Sequence, residues 1–417
     1  MLTSRTSRDE PGRGVEPAPS SNGSKPVLGN TLEPDQLGAL TQIASIRSVE
    51  ALPLHLPFAR SFTMAAPHQP TRDGVEVMIV RITSDDGLVG IGETQAWRRQ
   101  GSGETLPGLV GTVRDHVAPS LIGRSPLDVA SLMADIAARL AGSLYVQSAV
   151  GDALYDLAAR ALGRPLHDLL GGRCRPRVPV GIALGISGAP EAMIEAGERA
   201  YAQGYRHLRI KIGIDPAHDY RTVKAMREHF GDRIALRADA NGGMVFGDAL
   251  RLLHKLEPFD LDIVEQPVAA WDLDGMAAIA RSVPIPISAD ESLTTEHSLL
   301  EISRRDAARV IQTKSGKNGG VHGIRRLWAL AESLGIGIFP GNHPSTGVNV
   351  AAVAHLAAAW PGPLLVGDFQ TGSVDMIAED ILETPLTVAD GAVSVPQGPG
   401  LGIALDADKL AHFRMDR

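Results

Sequence analysis

The sequence predicts an α/β chain in which a (β/α) barrel follows an N-terminal α+β domain. Three observations predict it. First, short apolar strands alternate with amphipathic helices from Val178 to Asp368, with eight strand candidates: VPVGIAL, LRIKIG, IALRAD, DIVEQ, IPISAD, RVIQTK, GIGIFP and PLLVGD. Eight such repeats fit a closed barrel better than an open sheet. Second, five strand-like segments, HLRIK, ALRAD, DIVE, PISAD and RVIQTK, each end in a charged residue, namely Lys211, Asp239, Glu265, Asp290 and Lys314, separated by 28, 26, 25 and 24 residues. That interval is the length of one strand–helix unit. Third, the segment before Val178 has a different rhythm, with long strand-like stretches first and helices after them.

Taken in chain order, the first 44 residues are rich in Ser, Pro, Gly and charge. They lack the apolar stretch of a signal peptide, so a disordered tail and a cytoplasmic location are expected. From residue 45 to 172 an α+β domain is expected. SIRSVEALPLHLPF and GVEVMIVRITSDDGLVGIGET read as antiparallel strands, the second turning at Asp86-Gly87. Helices with Ala and Leu on repeating faces follow and stop at Gly171-Gly172. The barrel is expected over residues 173–380, with helices such as Pro190–Gln203, Val245–Leu256 and Val321–Leu334 between its strands. The eighth helix reads as poorly formed. Residues 381–417 return to strand and turn character and are expected to pack back on the first domain.

Composition narrows the function. The net charge of −8 offers no basic footprint for nucleic acid. No run of 18 apolar residues suggests a membrane span. The single cysteine, Cys174, excludes an intramolecular disulfide and fits a reducing compartment. A small-molecule partner is therefore expected.

In a parallel barrel the strand-end residues gather at the C-terminal face, so two ammonium groups flank three carboxylates. Asp239, Glu265 and Asp290 are three convergent oxygen donors, which suit a hard divalent ion such as Mg²⁺, with Mn²⁺ as the other candidate. Each carboxylate alone could equally cap the next helix. Three in register between two lysines point to a metal. Lys211 and Lys314 then stand where a base could meet an acidified C–H bond. Arg209 lies two residues before Lys211 on the same strand face, and a second cation nearby lowers a lysine's pKa. Asn241 either orients the site or serves the turn before Gly242-Gly243. Lys317, in the loop SGKNGG, is either a loop charge or a contact for a substrate carboxylate.

These residues resemble the enolase superfamily, and within it the muconate-lactonizing-enzyme subgroup of the mandelate racemase/muconate lactonizing enzyme family. The resemblance runs from about residue 45 to the end. It is carried by LRIKIG, RADANGG, DIVEQP, ISADES, TKSGKNGG, LLGGRCRPRVPV and GPGLGIALD. It implies an α+β capping domain on a modified (β/α)7β barrel, Mg²⁺ on Asp239, Glu265 and Asp290, and acid/base lysines at Lys211 and Lys314. It also implies a homo-oligomer.

The chain departs from the family pattern in several places. The second-strand motif is Arg-x-Lys where the family usually has Lys-x-Lys. Lysine at 314 argues against the mandelate-racemase subgroup, which has an aspartate there, so His343 is a candidate substrate contact and not half of an Asp–His dyad. Ser345 stands where muconate enzymes carry a glutamate. Dipeptide epimerases carry Asp-x-Asp at the eighth strand, whereas this chain has Asp368-Phe369-Gln370. Asp368 could still pair with a substituted amine and Trp97 could add a cation–π face. The specificity loops are expected at Phe58–Pro70 and Gln95–Gly103.

The expected chemistry is removal of the proton α to a carboxylate, through a metal-stabilised enediolate. Reprotonation on the opposite side gives a racemase or epimerase of a small acid or amino-acid derivative. Muconate-type cycloisomerisation and dehydration of a hydroxy acid or hydroxyproline-like substrate are the alternatives. A catalytically inactive carboxylate-binding homologue is the reading from a different class.

Overall fold

The alternation in GVEVMIVRI sends Val75, Val77 and Ile79 to one face of a strand and Met78, Val80 and Ile82 to the other. All six are fully buried, so this strand has a core on each side. It is the middle strand of an antiparallel sheet of β1 (Ile46–Phe62), β2 (Arg72–Ser84) and β3 (Val89–Gln95). The computed structural model describes residues 44–62, 72–96, 104–186, 188–369 and 376–416. Nearly all of the tail expected at 1–44 lies outside the described residues.

One face of the sheet is covered by α1 (Leu106–Thr112), the helical turns Val113–Val117 and Ala118–Leu121, and α3 (Leu144–Ala161), with α2 (Val129–Arg139) packed against α3. Helix α3 lies directly on β3. A Cβ on Gly90 or Gly92 would fall 2.3 Å from Ala153 O or 2.1 Å from Ala149 O, so only glycine permits this approach. The other face, with Leu52, Leu54 and Leu56, joins the core of the second half.

That second half is a parallel sheet whose strands neighbour one another in chain order. They are β5 (Ile182–Leu184), β6 (His207–Lys211), β7 (Ala235–Asp239), β8 (Ile263–Glu265), β9 (Ile287–Ala289), β10 (Val310–Thr313) and β11 (Gly337–Pro340). The helices between them are α4 (Pro190–Ala202), α5 (Pro216–Phe230), α6 (Phe246–Leu256), α7 (Leu273–Ser282), α8 (Glu296–Arg304) and α9 (Gly320–Ser333), and α10 (Gly347–Ala359) follows β11. Seven parallel strands in chain order, with helices between them, make the α/β modified barrel that the family resemblance implies, where the spacing alone suggests eight full repeats.

Two strand candidates differ in detail. VPVGIAL splits, because Arg177–Pro179 (β4) leaves the barrel and pairs with β13 (Ala392–Ser394), itself paired with β12 (Val388–Ala389). PLLVGD does not form a regular eighth strand. It bridges first and last strands through single contacts: Leu365 N donates to Ile338 O, Asp368 N to Pro340 O, and Gly181 N to Gly367 O. Val180 and Gly367 form one parallel bridge. From 377 to 406 the chain runs in loops, bridges and these short strands. Helix α11 (Ala407–Phe413) then brings Met415 N onto Pro53 O of β1. Among the described residues no helix is long and apolar enough to cross a membrane.

Candidate active site

Parallel register sets the site. Lys211 pairs with Asp239, and Asp239 with Glu265, across β6, β7 and β8, while Asp290 and Lys314 stand one residue past β9 and β10. All five side chains are buried at the same end of the barrel. Lys211 Nζ lies 2.5 Å from Asp239 Oδ2, and Lys314 Nζ lies 2.5 Å from Asp290 Oδ2 and 4.0 Å from Glu265 Oε1. Glu265 stands between the two lysine-paired aspartates in strand order. Arg209 Nη1 reaches both Asp239 Oδ2, at 2.9 Å, and Glu265 Oε2.

The electrostatics follow from this packing. Burial opposes ionisation of Asp290, but Lys314 and then Lys317 hold its carboxyl well below the usual carboxylate range. Burial likewise opposes ionisation of Asp239, yet Lys211 and Arg209 hold it low. For Glu265, burial pushes upward, Arg209 pulls back, and Asp239 and Asp290 push up again, leaving it well above its ordinary value. Burial works against the Lys314 ammonium too, but Asp290 and Glu265 raise it.

Among the described residues no three His, Cys, Asp or Glu side chains form a ready metal-holding group. Lysine and arginine nitrogens lie directly on the carboxylate oxygens. The donor set still fits a hard divalent ion. Glu265 Oε1 is buried without a hydrogen-bond partner, and mutual repulsion of three buried carboxylates is what a cation relieves.

The supporting residues divide clearly. Asn241, in a left-handed conformation at φ 45°, accepts from Lys211 Nζ at 2.8 Å and donates to Glu291 Oε1 at 3.1 Å. Lys317 is neither an exposed loop charge nor open to substrate. It is fully buried, and its Nζ donates to the carbonyls of Asp290, Leu293 and Gln312 at 2.8–3.0 Å. His343 is buried and stacks on Tyr145 with ring centroids 6.1 Å apart. Ser345 Oγ accepts from Asn342 Nδ2 at 2.6 Å. Asp368 is buried beside Arg209, with Oδ2 2.6 Å from Arg209 Nε. Trp97, with residues 63–70 and 97–103 of the expected specificity loops and Gln370, lies outside the described residues.

Sequence reasoning missed four residues. Gln266, at φ 37°, accepts from Asp290 N and Ser292 N through Oε1 and donates to Val268 O, locking the fourth and fifth strand ends together. Glu291 is buried, and burial with the charges of Asp290 and Asp239 pushes it up to about 7. Its place beside Asp290 in SADES was the available signal. Gln312 reaches Asp368 from inside a strand, and Tyr145 arrives from the N-terminal domain, so neither carries a local signal.

Comparison with known proteins gives a consistent result. Residues 47–171 match the mandelate racemase / muconate lactonizing enzyme N-terminal domain, and residues 192–409 match the enolase C-terminal domain-like family. Muconate cycloisomerase 1 of Rhodococcus opacus is 33% identical over 374 residues, covering 88% of this chain and 97% of that protein. The N-succinylamino acid racemase of Thermus thermophilus is 35% identical over 368 residues, covering 87% and 94%. The solved L-Ala-D/L-Glu epimerase of Bacillus subtilis, in a substrate-liganded complex, is 31% identical and superposes with a TM-score of 0.81, covering 87% of this chain and 99% of that one.

Proposed function

This chain belongs to the mandelate racemase/muconate lactonizing enzyme family of the enolase superfamily, and from that premise we propose that it is a divalent-metal-dependent isomerase. The proposed reaction is racemisation or epimerisation at the carbon α to the carboxylate of a small acid or amino-acid derivative. One observation carries it: Lys211 and Lys314 each pair with a different outer carboxylate of the trio, with Glu265 between them. Two ammonium-bearing side chains flanking one acidic centre are what a two-base proton exchange needs.

Asp239, Glu265 and Asp290 would hold Mg²⁺ or Mn²⁺, which when bound offsets the negative charge that collects on a substrate carboxylate as its α-proton leaves. Lys211 and Lys314 remove and return that proton, one on each side. Asn241 fixes the Lys211 ammonium, and Lys317 ties the loop after β10 to the end of β9, so the two acid/base groups keep their separation. His343 and Ser345, after β11, and the loops of the N-terminal domain (residues 45–172) are assigned to substrate choice, the barrel (173–380) to chemistry. The acidic net charge supports a small-molecule partner, and the assembly is proposed to be a cytoplasmic homo-oligomer.

Cycloisomerisation is kept as a second reading because a muconate cycloisomerase is among the similar proteins. Incubation in D₂O with Mg²⁺ and a panel of N-acyl amino acids, muconate and hydroxy acids separates the cases. Deuterium at the α-carbon without loss of water supports the isomerase. Lactone formation supports the cycloisomerase, loss of water a dehydratase, and binding without exchange across the panel an inactive carboxylate binder.

A further inference from the structure

The arginine in the Arg-x-Lys motif uses two edges of its guanidinium for two different purposes. Its Nη1 rests on Asp239 and Glu265, while its Nε faces Asp368 Oδ2 at 2.6 Å. A lysine at 209 has one ammonium on a flexible stem and could not serve both sides at once. Asp368 is itself fixed from two directions. Its backbone N donates to Pro340 O at 3.1 Å, and its Oδ1 accepts from Gln312 Nε2 at 3.1 Å. Gln312 reaches it past Gly341, where an added Cβ would lie 2.6 Å from Gln312 Nε2, so glycine keeps that path open. The carboxylate is buried, with Oδ1 hydrogen-bonded to Gln312 and Oδ2 held against Arg209 Nε by charge, outside hydrogen-bond geometry.

Arg209 also occupies oxygens that a divalent cation would need. Asp239 and Glu265 draw its Nη1 toward β7 and β8, whereas Asp368, on the segment beyond β5, draws its Nε toward the other flank of β6. We propose that Asp368 is a positioning residue acting through Arg209: it anchors the guanidinium so that only one edge touches Asp239 and Glu265 and those carboxylates can be yielded to a divalent cation. This rests on the metal reading above for its consequence, but the anchor itself stands on the protein geometry alone.

The test is a double-mutant cycle read by Mg²⁺ titration calorimetry on the full chain, with Asp368→Asn, Arg209→Gln and the pair. Asp368→Asn is expected to weaken Mg²⁺ about fivefold or more, and the same change in the Arg209→Gln background about twofold or less, because contacting residues couple and independent ones add. Equal weakening in both backgrounds would mean that Asp368 acts by charge alone and would overturn the proposal. So would an unchanged Mg²⁺ affinity with a raised KM confined to amine-bearing substrates. Gln312→Leu, a milder change, is expected to reproduce part of the loss if Asp368→Asn folds poorly. If the wild-type chain binds no Mg²⁺, the metal reading fails and the anchor is judged by urea unfolding of the same four proteins. Coupling between positions 209 and 368 then upholds the anchor, and additivity refutes it.

Discussion

Glu93, on the third strand of the N-terminal sheet, caps Thr346 at the head of barrel helix α10. Its Oε1 accepts from Thr346 N at 3.0 Å, and its Oε2 accepts from Thr346 Oγ1 at 2.6 Å and from Asn349 N at 3.1 Å. Asp152 on α3 makes the equivalent grip on α9, accepting from Val321 N at 2.7 Å and Ser315 Oγ at 3.2 Å. The two barrel helices that follow the Lys314 and His343 loops are thus held by buried carboxylates of the N-terminal domain.

Glu93→Ala would strand four buried donors at once: Thr346 N, Thr346 Oγ1, Asn349 N and Gln95 Nε2. Each unsatisfied donor costs about 1–3 kcal/mol, so the variant should lose several kcal/mol in urea unfolding. The loosening should be local before it is global. Amide exchange at Thr346 and Asn349 should accelerate relative to the β6–β8 strands, and equal acceleration everywhere would refute a local cap.

Lys317→Met should behave as a stability variant. Its fully buried ammonium ties three carbonyls and lies 3.4 Å from Asp290 Oδ1. Losing it strips one hydrogen bond from each carbonyl, leaving Asp290 O and Leu293 O only their bonds from Leu293 N and Asn318 Nδ2. Thermal unfolding should shift downward, by several degrees or more. Unchanged stability with a raised KM would instead place Lys317 on the substrate.

The contrast between Lys314 and Lys317 shows where the sequence was legible. Asp239, Glu265, Asp290 and Lys314 could be read because barrel strands repeat at a near-constant interval and side-chain direction at a strand end is fixed by the pleat. Lys317 could not, because Gly316–Asn318 forms a tight helical turn that folds its side chain back under β9 and β10. Nothing in SGKNGG distinguishes that from an open loop. Glu93, Asp152 and Tyr145 reach the barrel from over 160 positions away in the chain. Periodicity speaks of neighbours in one element, so such contacts between domains leave no trace in it. PLLVGD has strand composition but only single contacts on each side, since it closes the sheet instead of extending it.

His355 gives the fold a pH dependence. Its Nδ1 accepts from His167 N at 3.2 Å and its Nε2 donates to Leu401 O at 3.1 Å, so the neutral ring is already satisfied. Burial lowers it to about 4, against the Leu401 bond and with help from His167. The folded state therefore binds fewer protons than the unfolded chain between about pH 4 and 6.5, and stability present above 6.5 is lost as pH falls through that window. The contribution is about 2 kcal/mol by pH 5. His355→Gln should flatten the change in urea midpoint between pH 7 and 5, and an identical slope in the variant would remove His355 as its cause.

The three carboxylates predict a graded metal response. Asp239→Asn, Glu265→Gln and Asp290→Asn should each weaken Mg²⁺ in calorimetry and abolish turnover, because each removes an anionic oxygen from a hard-ion site. Loss at Asp239 or Asp290 also strands a buried lysine. Glu265→Gln touches only Arg209 closely and should keep the most stability. Unchanged affinity in all three variants would remove the metal assignment.

The two lysines should part company when each enantiomer is followed separately. Lys211 pairs with Asp239 and Asn241, and Lys314 with Asp290, so neither can take the other's place without crossing the carboxylate trio. Lys211→Ala should abolish α-proton exchange in D₂O from one enantiomer and spare part of the exchange from the other, with Lys314→Ala giving the reverse. Net racemisation should vanish in both, because each direction needs one group to remove a proton and one to return it. NMR on both enantiomers of an accepted N-acyl amino acid decides the matter. If a single lysine suffices for full turnover, the two-base isomerase falls and a one-base cycloisomerase or dehydratase takes its place.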